Sequence, residues 1–177
     1  DGGKTILLVG GKLAIAHLLS LGPALRAAGN RVLYVSYFKD ANELYCQDEI
    51  EAATNAIVWV TAEGEPITPT REQDRAMTSD LISVLRDYAI DATASIAFAD
   101  INRVTVIGSE TLLRTMRQAR QGLLKEYFQK NVEFFASVYG PMQCMLKGVC
   151  AQCLQWQIDP STGKRTKAVY ACSWQNQ

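Results

Sequence analysis

The sequence has little of what marks several large classes of protein. Its 18 Lys and Arg residues balance 18 Asp and Glu residues, and this neutrality argues against nucleic acid or an anionic membrane surface as the main partner. No apolar run approaches the roughly 20 residues of a membrane-spanning helix, so we expect no membrane span. The chain has one histidine, His17, and no nucleophile is paired with a histidine base as in a catalytic triad.

The most distinctive feature that is present is a group of cysteines near the end of the chain. Four of the five cysteines follow the pattern C-x5-C-x2-C-x18-C, namely Cys144, Cys150, Cys153 and Cys172. Thiolates bind soft metals, and plant-type [2Fe–2S] proteins use C-x4-C-x2-C with a distant fourth cysteine. The pattern differs from that spacing by one residue in the first gap. The sequence therefore predicts these four cysteines as ligands of an iron–sulfur cluster.

Zinc and the absence of any metal are the alternatives for this segment. Zinc sites usually show two CxxC pairs or cysteines mixed with histidines, whereas the chain has one CxxC and its histidine lies far upstream. A disulfide would need an oxidising compartment, and unpaired thiols with metal-type spacing favour a reducing, cytoplasmic location. The fifth cysteine, Cys46, is predicted to be a small buried apolar residue.

The rest of the chain alternates apolar strands with helical segments. Strands are predicted over 5–9, 32–38, 56–61, 103–107 and 132–138, and helices over 13–28, 41–54, 70–88 and 109–129. Continuous apolar strands that alternate with helices indicate an α/β fold, here a five-stranded parallel doubly wound sheet. The cysteines follow as a small C-terminal cysteine-rich module with a hairpin over 154–171. We expect a nucleotide-binding domain over 1–138 and an iron–sulfur module over 139–177.

Sheets of this kind bind ligands beyond the carboxyl ends of their strands. Gly10 and Gly11 follow the first strand and precede a helix, where backbone N–H groups and the helix dipole favour a phosphate; a tight turn is the alternative interpretation. Lys39 follows the second strand and could hold the adenosine end of a dinucleotide, or it could be a solvated charge. The neighbouring Asp40 disfavours a 2′-phosphate, so NADH is favoured over NADPH.

Four motifs carry a resemblance to a known family. They are Gly10-Gly-Lys-Leu-Ala-Ile-Ala-His17, Tyr37-Phe-Lys-Asp-Ala-Asn-Glu-Leu44, Ile107-Gly-Ser-Glu110, and the segment from Pro141 through Cys144 to Cys153. In this order the chain resembles the nucleotide-binding half of the ferredoxin–NADP reductase family. It looks most like the branch with a C-terminal [2Fe–2S] domain, which includes the electron-transfer subunit of dihydroorotate dehydrogenase and the small subunit of NADH-dependent ferredoxin–NADP oxidoreductase.

The resemblance implies an electron-transfer component of an NAD(P)H-dependent flavin and iron–sulfur oxidoreductase. A nicotinamide dinucleotide would bind at Gly10, Gly11, Ala14, Lys39 and Gly108, and a partner oxidoreductase would exchange electrons with the [2Fe–2S] cluster. The family's FAD-binding barrel normally precedes this domain and is not in the sequence. FAD is therefore expected only in the full-length protein, and this fragment alone is expected to be inactive.

Departures from the family pattern motivate an alternative function. Ala14 stands where the family has a glycine, and Ser109 and Glu110 replace its Gly-Pro, which places Glu110 near the pocket expected to face nicotinamide. A zinc-stapled or degenerate nucleotide-binding domain with a structural, docking or regulatory role is the alternative.

Overall fold

A six-stranded parallel sheet forms the body of the molecule in the computed structural model, which describes residues 2–138, 144–145, 147–159, 161–170 and 172. The strands lie in the order β4-β3-β2-β1-β5-β6, so the strand order reverses between β1 and β5. The bounds are β1 (Thr5–Gly10), β2 (Arg31–Phe38), β3 (Ala56–Thr61), β4 (Arg75–Thr78), β5 (Arg103–Gly108) and β6 (Glu133–Val138).

Helices cover both faces of the sheet. α1 (Ile15–Ala27) and α2 (Gln47–Ala52) pack on the face that carries Ile6, Tyr34 and Trp59. α3 (Leu81–Ile90) and α4 (Glu110–Gln121) pack on the opposite face. Because successive residues of β1 to β3 are buried alternately against the two helical layers, these strands read as continuous apolar runs. The predicted doubly wound α/β fold is confirmed.

The prediction of five strands is wrong by one, because β4 lies inside the segment predicted as a helix over 70–88. Thr70 and Gln73 match a capping box in sequence, but the Thr70 hydroxyl instead donates to the carboxylate of Glu51 on α2. The Asp74 carboxylate then accepts the backbone N–H of Ile57 at 2.8 Å, which joins the start of β4 to β3. The helix itself begins at Leu81, with the Asp80 side chain as its N-cap.

Two further predictions concern the segment before β3. The predicted helix over 41–54 is divided into a 3₁₀ turn at Ala41–Glu43 and α2. Cys46 lies between them in the left-handed conformation with φ 55°, and it is exposed. The prediction that Cys46 is buried is therefore wrong, because the chain turns outward there before α2 begins.

An Asn or Asp side chain links the amino end of four strands to a neighbouring strand. The Asn55 side-chain oxygen accepts the N–H of Val32 at 2.8 Å, and the Asn102 oxygen accepts the N–H of Thr5 at 2.8 Å. Asn30 accepts the N–H of Lys4 at 3.0 Å in the same way, and Asp74 accepts that of Ile57. Each of these residues directly precedes the first bridged residue of its strand, and each accepts a backbone N–H that the ladder leaves without a partner. We call these residues the amino-edge anchors.

The C-terminal segment contains an antiparallel hairpin of β7 (Leu154–Ile158) and β8 (Arg165–Tyr170), which confirms the predicted hairpin. Its turn is closed by Asp159, whose carboxylate accepts hydrogen bonds from the Ser161 hydroxyl at 2.6 Å and the Thr162 hydroxyl at 2.9 Å. The division of the chain at residue 138 stays a prediction. Among the helices of the described residues, none combines the length and apolar character needed to cross a membrane.

Candidate functional site

A cavity of about 460 Å³ opens where the strand order reverses. The carboxyl ends of β1 and β5 form its floor, and the first turns of α3 and α4 form its walls. Such a position is where doubly wound sheets hold their ligands. We call it the switch-point cavity, and its described lining residues are Gly11, Lys12, Leu13, Tyr37, Asp80, Leu81, Ile82, Ile107, Gly108, Ser109, Thr111, Leu112 and Thr115.

The glycines at this edge are required by close approach of the backbone. A Cβ on Gly11 would lie 2.5 Å from the Tyr37 carbonyl oxygen, and one on Gly10 would lie 2.6 Å from that of Ile107. The tight-turn interpretation of both glycines thus has a steric basis. Gly11 and Gly108 also line the switch-point cavity. A side chain at either position would meet neighbouring atoms and would also narrow the cavity.

The other predicted dinucleotide residues lie around the cavity rather than in it. Ala14 is buried beside Gly10, where its methyl group fills space beneath the β1–α1 turn. The Lys39 ammonium lies 3.3 Å from the Glu63 carboxylate, and the hydrogen bond to Glu63 raises the pKa of Lys39. Lys39 is outside the described lining of the cavity.

Glu110 lies beside the cavity, between the lining residues Ser109 and Thr111, and is itself outside the described lining. Its carboxylate pairs with the Arg114 guanidinium one turn along α4, because the two side chains lie on the same face of the helix. Ser109, one residue earlier, caps α4 by accepting the N–H of Leu112 at 3.2 Å.

Asp80 is a cavity residue that the sequence did not reveal. Its side chain accepts the N–H groups of Ile82 and Ser83 at 3.1 and 3.0 Å, and hydrogen bonding to Ser83, then Ile82, holds the pKa of Asp80 below its usual range. The wall of the cavity thus carries an ionised carboxylate. A Ser-Asp pair before an apolar helix is an N-cap signal, but it was hidden within the helix predicted over 70–88.

Two of the four predicted metal ligands, Cys153 and Cys172, lie against the carboxyl end of β6. Cys144, Cys153 and Cys172 are buried, with 8%, 2% and 8% of their surface exposed, and Cys150 is half-buried. Cys153 and Cys172 pack against Val138, the last residue of β6. The backbone N–H of Cys172 donates to the Cys153 sulfur at 3.4 Å.

Backbone amides surround the sulfur of Cys144. Hydrogen bonds from the N–H groups of Cys150, Val149 and Gly148 lower the pKa of Cys144 to about 6. Positive φ angles at Met145 (50°), Gly148 (70°) and Ala151 (58°) turn the chain around this sulfur. Hydrogen bonding to the Cys153 thiol raises the pKa of Cys172 instead. The thiols are thus arranged as two pairs, Cys144 with Cys150 and Cys153 with Cys172.

In the part of the chain that the structure describes, the two cysteine pairs together do not form a group that could hold a metal ion. Within residues 2–138 and the described parts of the tail, no three His, Cys, Asp or Glu side chains are placed so as to hold a metal ion. The donor chemistry nevertheless fits an iron–sulfur cluster, since the site offers four thiols and backbone N–H groups that stabilise thiolate charge. The assignment of the four cysteines as ligands stays a prediction.

Comparisons with known proteins establish the fold. The structure of the NADH-dependent reduced ferredoxin–NADP oxidoreductase, reported for flavin-based electron bifurcation, matches with a TM-score of 0.59 at 17% identity over 97% of this chain and 51% of that one. Flavohemoglobin from Malassezia yamatoensis, with bound FAD and heme, gives a TM-score of 0.48 at 16% identity over 78% of this chain and 32% of that one. The chain thus spans about half the length of the first of these proteins.

Sequence comparisons add little to this. No family model matches the chain. Uncharacterized protein RP006 from Rickettsia prowazekii (strain Madrid E) is 46% identical over 50 residues, which is 28% of this chain and 6% of that protein. The fold is therefore ferredoxin reductase-like, on the strength of the first structural match.

Proposed function

We propose that the chain is the nucleotide-binding and iron–sulfur part of an NAD(P)H-dependent oxidoreductase. In the full protein it would pass electrons between NAD(P)H, a flavin on a separate barrel domain, and a partner oxidoreductase. The cofactors would carry out the redox chemistry, and the protein would position them and set their potentials.

One observation carries this proposal: the Cys153–Cys172 pair and the switch-point cavity share the first turn of α4. Leu112 lines the cavity, and its neighbour Leu113 packs against Val138, Cys153 and Cys172. A redox group in the cavity and one held by the cysteines would thus be separated by a single packed turn of helix. Such proximity is what an electron-transfer component requires, and a purely structural metal site has no need of it.

The cavity supports a nicotinamide dinucleotide as its ligand. Gly11 and Gly108 let the ligand approach the backbone, and the amino end of α4 is suited to a phosphate. At the end of β2, the Lys39 ammonium forms an ion pair with Glu63. The backbone N–H of Lys39 donates to the Glu43 carboxylate at 2.9 Å. Because carboxylates surround the expected ribose position there, the 2′-phosphate of NADPH is disfavoured and NADH is the preferred form.

A [2Fe–2S] cluster held by Cys144, Cys150, Cys153 and Cys172 would supply one-electron transfer. The single CxxC and the absence of a histidine near it favour this cluster over zinc. The amides around Cys144 add to this, since hydrogen bonds to the sulfurs are among the factors that set the potential of a cluster.

The test is metal and sulfide analysis of anaerobically purified protein, together with its visible spectrum. We expect about two iron and two sulfide per chain and charge-transfer bands that bleach on reduction. Cys150→Ser should abolish those bands, while the matched control Cys46→Ser, at an exposed cysteine outside the site, should leave them intact. Zinc without iron would replace the proposal by a zinc-stapled domain with a structural, docking or regulatory role.

A further inference from the structure

A second cavity, of about 660 Å³, lies between α4, the edge strand β6 and the C-terminal hairpin. It is separate from the switch-point cavity, and the two have no described lining residue in common. Its walls carry arginines and aromatic rings, and we call it the arginine cleft. Its lining includes Arg114, Arg117, Arg120, Arg165, Phe135 and Trp156.

Positive charge is concentrated in the arginine cleft although the whole chain is neutral. Arg114, Arg117 and Arg120 follow one another at three-residue spacing on α4, and Arg165 projects from β8. Glu110, which is paired with Arg114, is the acidic residue among the described lining. All four cations are arginines, whose planar forked donors match the oxygens of phosphates and carboxylates better than the point charge of a lysine does.

Two of the guanidinium groups are held against aromatic rings. The Arg120 Cζ lies 3.8 Å from the centroid of the Phe134 ring, and the Arg165 Cζ lies 5.9 Å from the Trp156 ring. Stacking of this kind orients a guanidinium and leaves the N–H donors along its edge available to a ligand. The guanidinium groups of Arg120 and Arg165 are therefore held in orientations in which their N–H donors can bind an anion.

Flat apolar surface lies beside these cations. Phe135 is 51% exposed and Trp156 is 55% exposed, and both line the cleft. An exposed tryptophan offers a stacking surface to any aromatic base. The cleft thus combines anion donors and aromatic faces in a volume within the range of roughly 300–1,000 Å³ that small-molecule sites occupy.

We propose that the arginine cleft is a second ligand site, which binds a nucleotide with its phosphates on the arginines and its base against Trp156. This site is independent of the dinucleotide proposed for the switch-point cavity. A nucleotide uses both features of the cleft at once, whereas a simple anion would leave the aromatic faces unused.

The experiment is a calorimetric titration of the chain with ADP, in a Thr111→Trp background that fills the switch-point cavity. Arg117→Glu should weaken ADP binding by at least about tenfold, because it replaces a charge-assisted contact by a repulsive one. Arg117→Gln should weaken it less, and it serves as the test if the reversed charge impairs folding. Arg86→Glu, on the exposed side of α3 and paired with Asp87, is the matched control and should bind ADP as the parent does.

The chemical assignment is tested by comparing ADP with its parts. ADP should bind more tightly than either adenosine or inorganic pyrophosphate, and Trp156→Ala should remove the advantage of ADP over pyrophosphate. Equal affinity for pyrophosphate and ADP would overturn the nucleotide assignment in favour of anions of any shape. Tighter binding of a polyglutamate peptide than of ADP would overturn it in favour of an acidic protein surface, and no saturable ADP binding would overturn it altogether.

Discussion

The Asp74 side chain links the start of β4 to β3 and, through Arg71, to the end of α2. It is fully buried and forms an ion pair with Arg71 at 2.8 Å, while it also accepts the N–H of Ile57. Arg71 in turn donates to the carbonyl oxygen of Thr54 at 3.1 Å. A buried ion pair of this kind is of limited net value to stability, but removal of one partner leaves a charge without compensation.

We therefore expect Asp74→Ala to destabilise the protein strongly. The change leaves the Arg71 guanidinium without its counter-charge and the Ile57 N–H without its acceptor, and the loss in free energy of unfolding should be about 3–5 kcal/mol. Asp87→Ala, which breaks the exposed pair with Arg86, should cost no more than about 1 kcal/mol. Urea denaturation of the two variants measures both values, and similar losses in the two would show that burial of Asp74 is unimportant.

Asp159 gives a prediction about pH. Hydrogen bonds from the Ser161 hydroxyl and backbone, and from the Thr162 hydroxyl, lower the pKa of Asp159 to about 2. A carboxylate whose pKa is lower in the folded state stabilises the fold above its ordinary pKa of about 3.9. That contribution is lost as the pH falls through about 4 towards 2. NMR titration should place the midpoint of Asp159 near 2 in the parent and higher in Ser161→Ala, and an unchanged midpoint would contradict the assigned cause.

Among the secondary-structure elements, the parallel strands depend on their amino-edge anchors. Asn102→Ala removes the acceptor of the Thr5 N–H, and an unsatisfied backbone donor costs about 1–3 kcal/mol. Asn102→Asp keeps an oxygen at the same position and should be milder. Hydrogen exchange at the Thr5 amide, measured beside urea denaturation, should accelerate in the alanine variant. Equal effects of Ala and Asp would mean that the amide side chain acts by some contact other than this one.

For the molecule as a whole, the first turn of α4 contacts both the switch-point cavity and the Cys153–Cys172 pair. Leu113→Ala removes half-buried packing from the Val138, Cys153 and Cys172 group, and we expect a loss of about 1–2 kcal/mol, less than a fully buried leucine would lose. The proposed iron content should fall, while NADH affinity should change little because Leu112 still lines the switch-point cavity. Iron analysis and NADH titration test this together. A loss of NADH binding with iron retained would contradict it.

Much of the fold was predictable because the strands are apolar on both faces. β1, β2, β3, β5 and β6 match predicted strands, and α4 begins one residue after the predicted start of its helix. β4 was not predicted, because its four residues, Arg75–Thr78, include only one strongly apolar side chain. They also follow Thr70 to Gln73, which match a capping box in sequence but do not cap a helix. Within the candidate site, the turn at Gly10 and Gly11 follows from the strand pattern and the cysteine ligands stay a prediction. Asp80 and the pairing of Glu110 with Arg114 depend on helix starts that the sequence places only approximately.

The amino-edge anchors have a consequence for how the chain selects its strand register. In a half-exposed strand, alternation of apolar and polar residues fixes the register, since a slip by one residue would turn the apolar side outward. β1, with all six residues buried, lacks that information, so an apolar strand could slide along its neighbour at little cost in hydrophobic burial. One directed hydrogen bond from a backbone N–H to the side-chain oxygen of Asn30, Asn55, Asp74 or Asn102 is satisfied in a single alignment. These four polar side chains supply the uniqueness that the apolar strands cannot, and they do so at the edge of the sheet opposite the switch-point cavity.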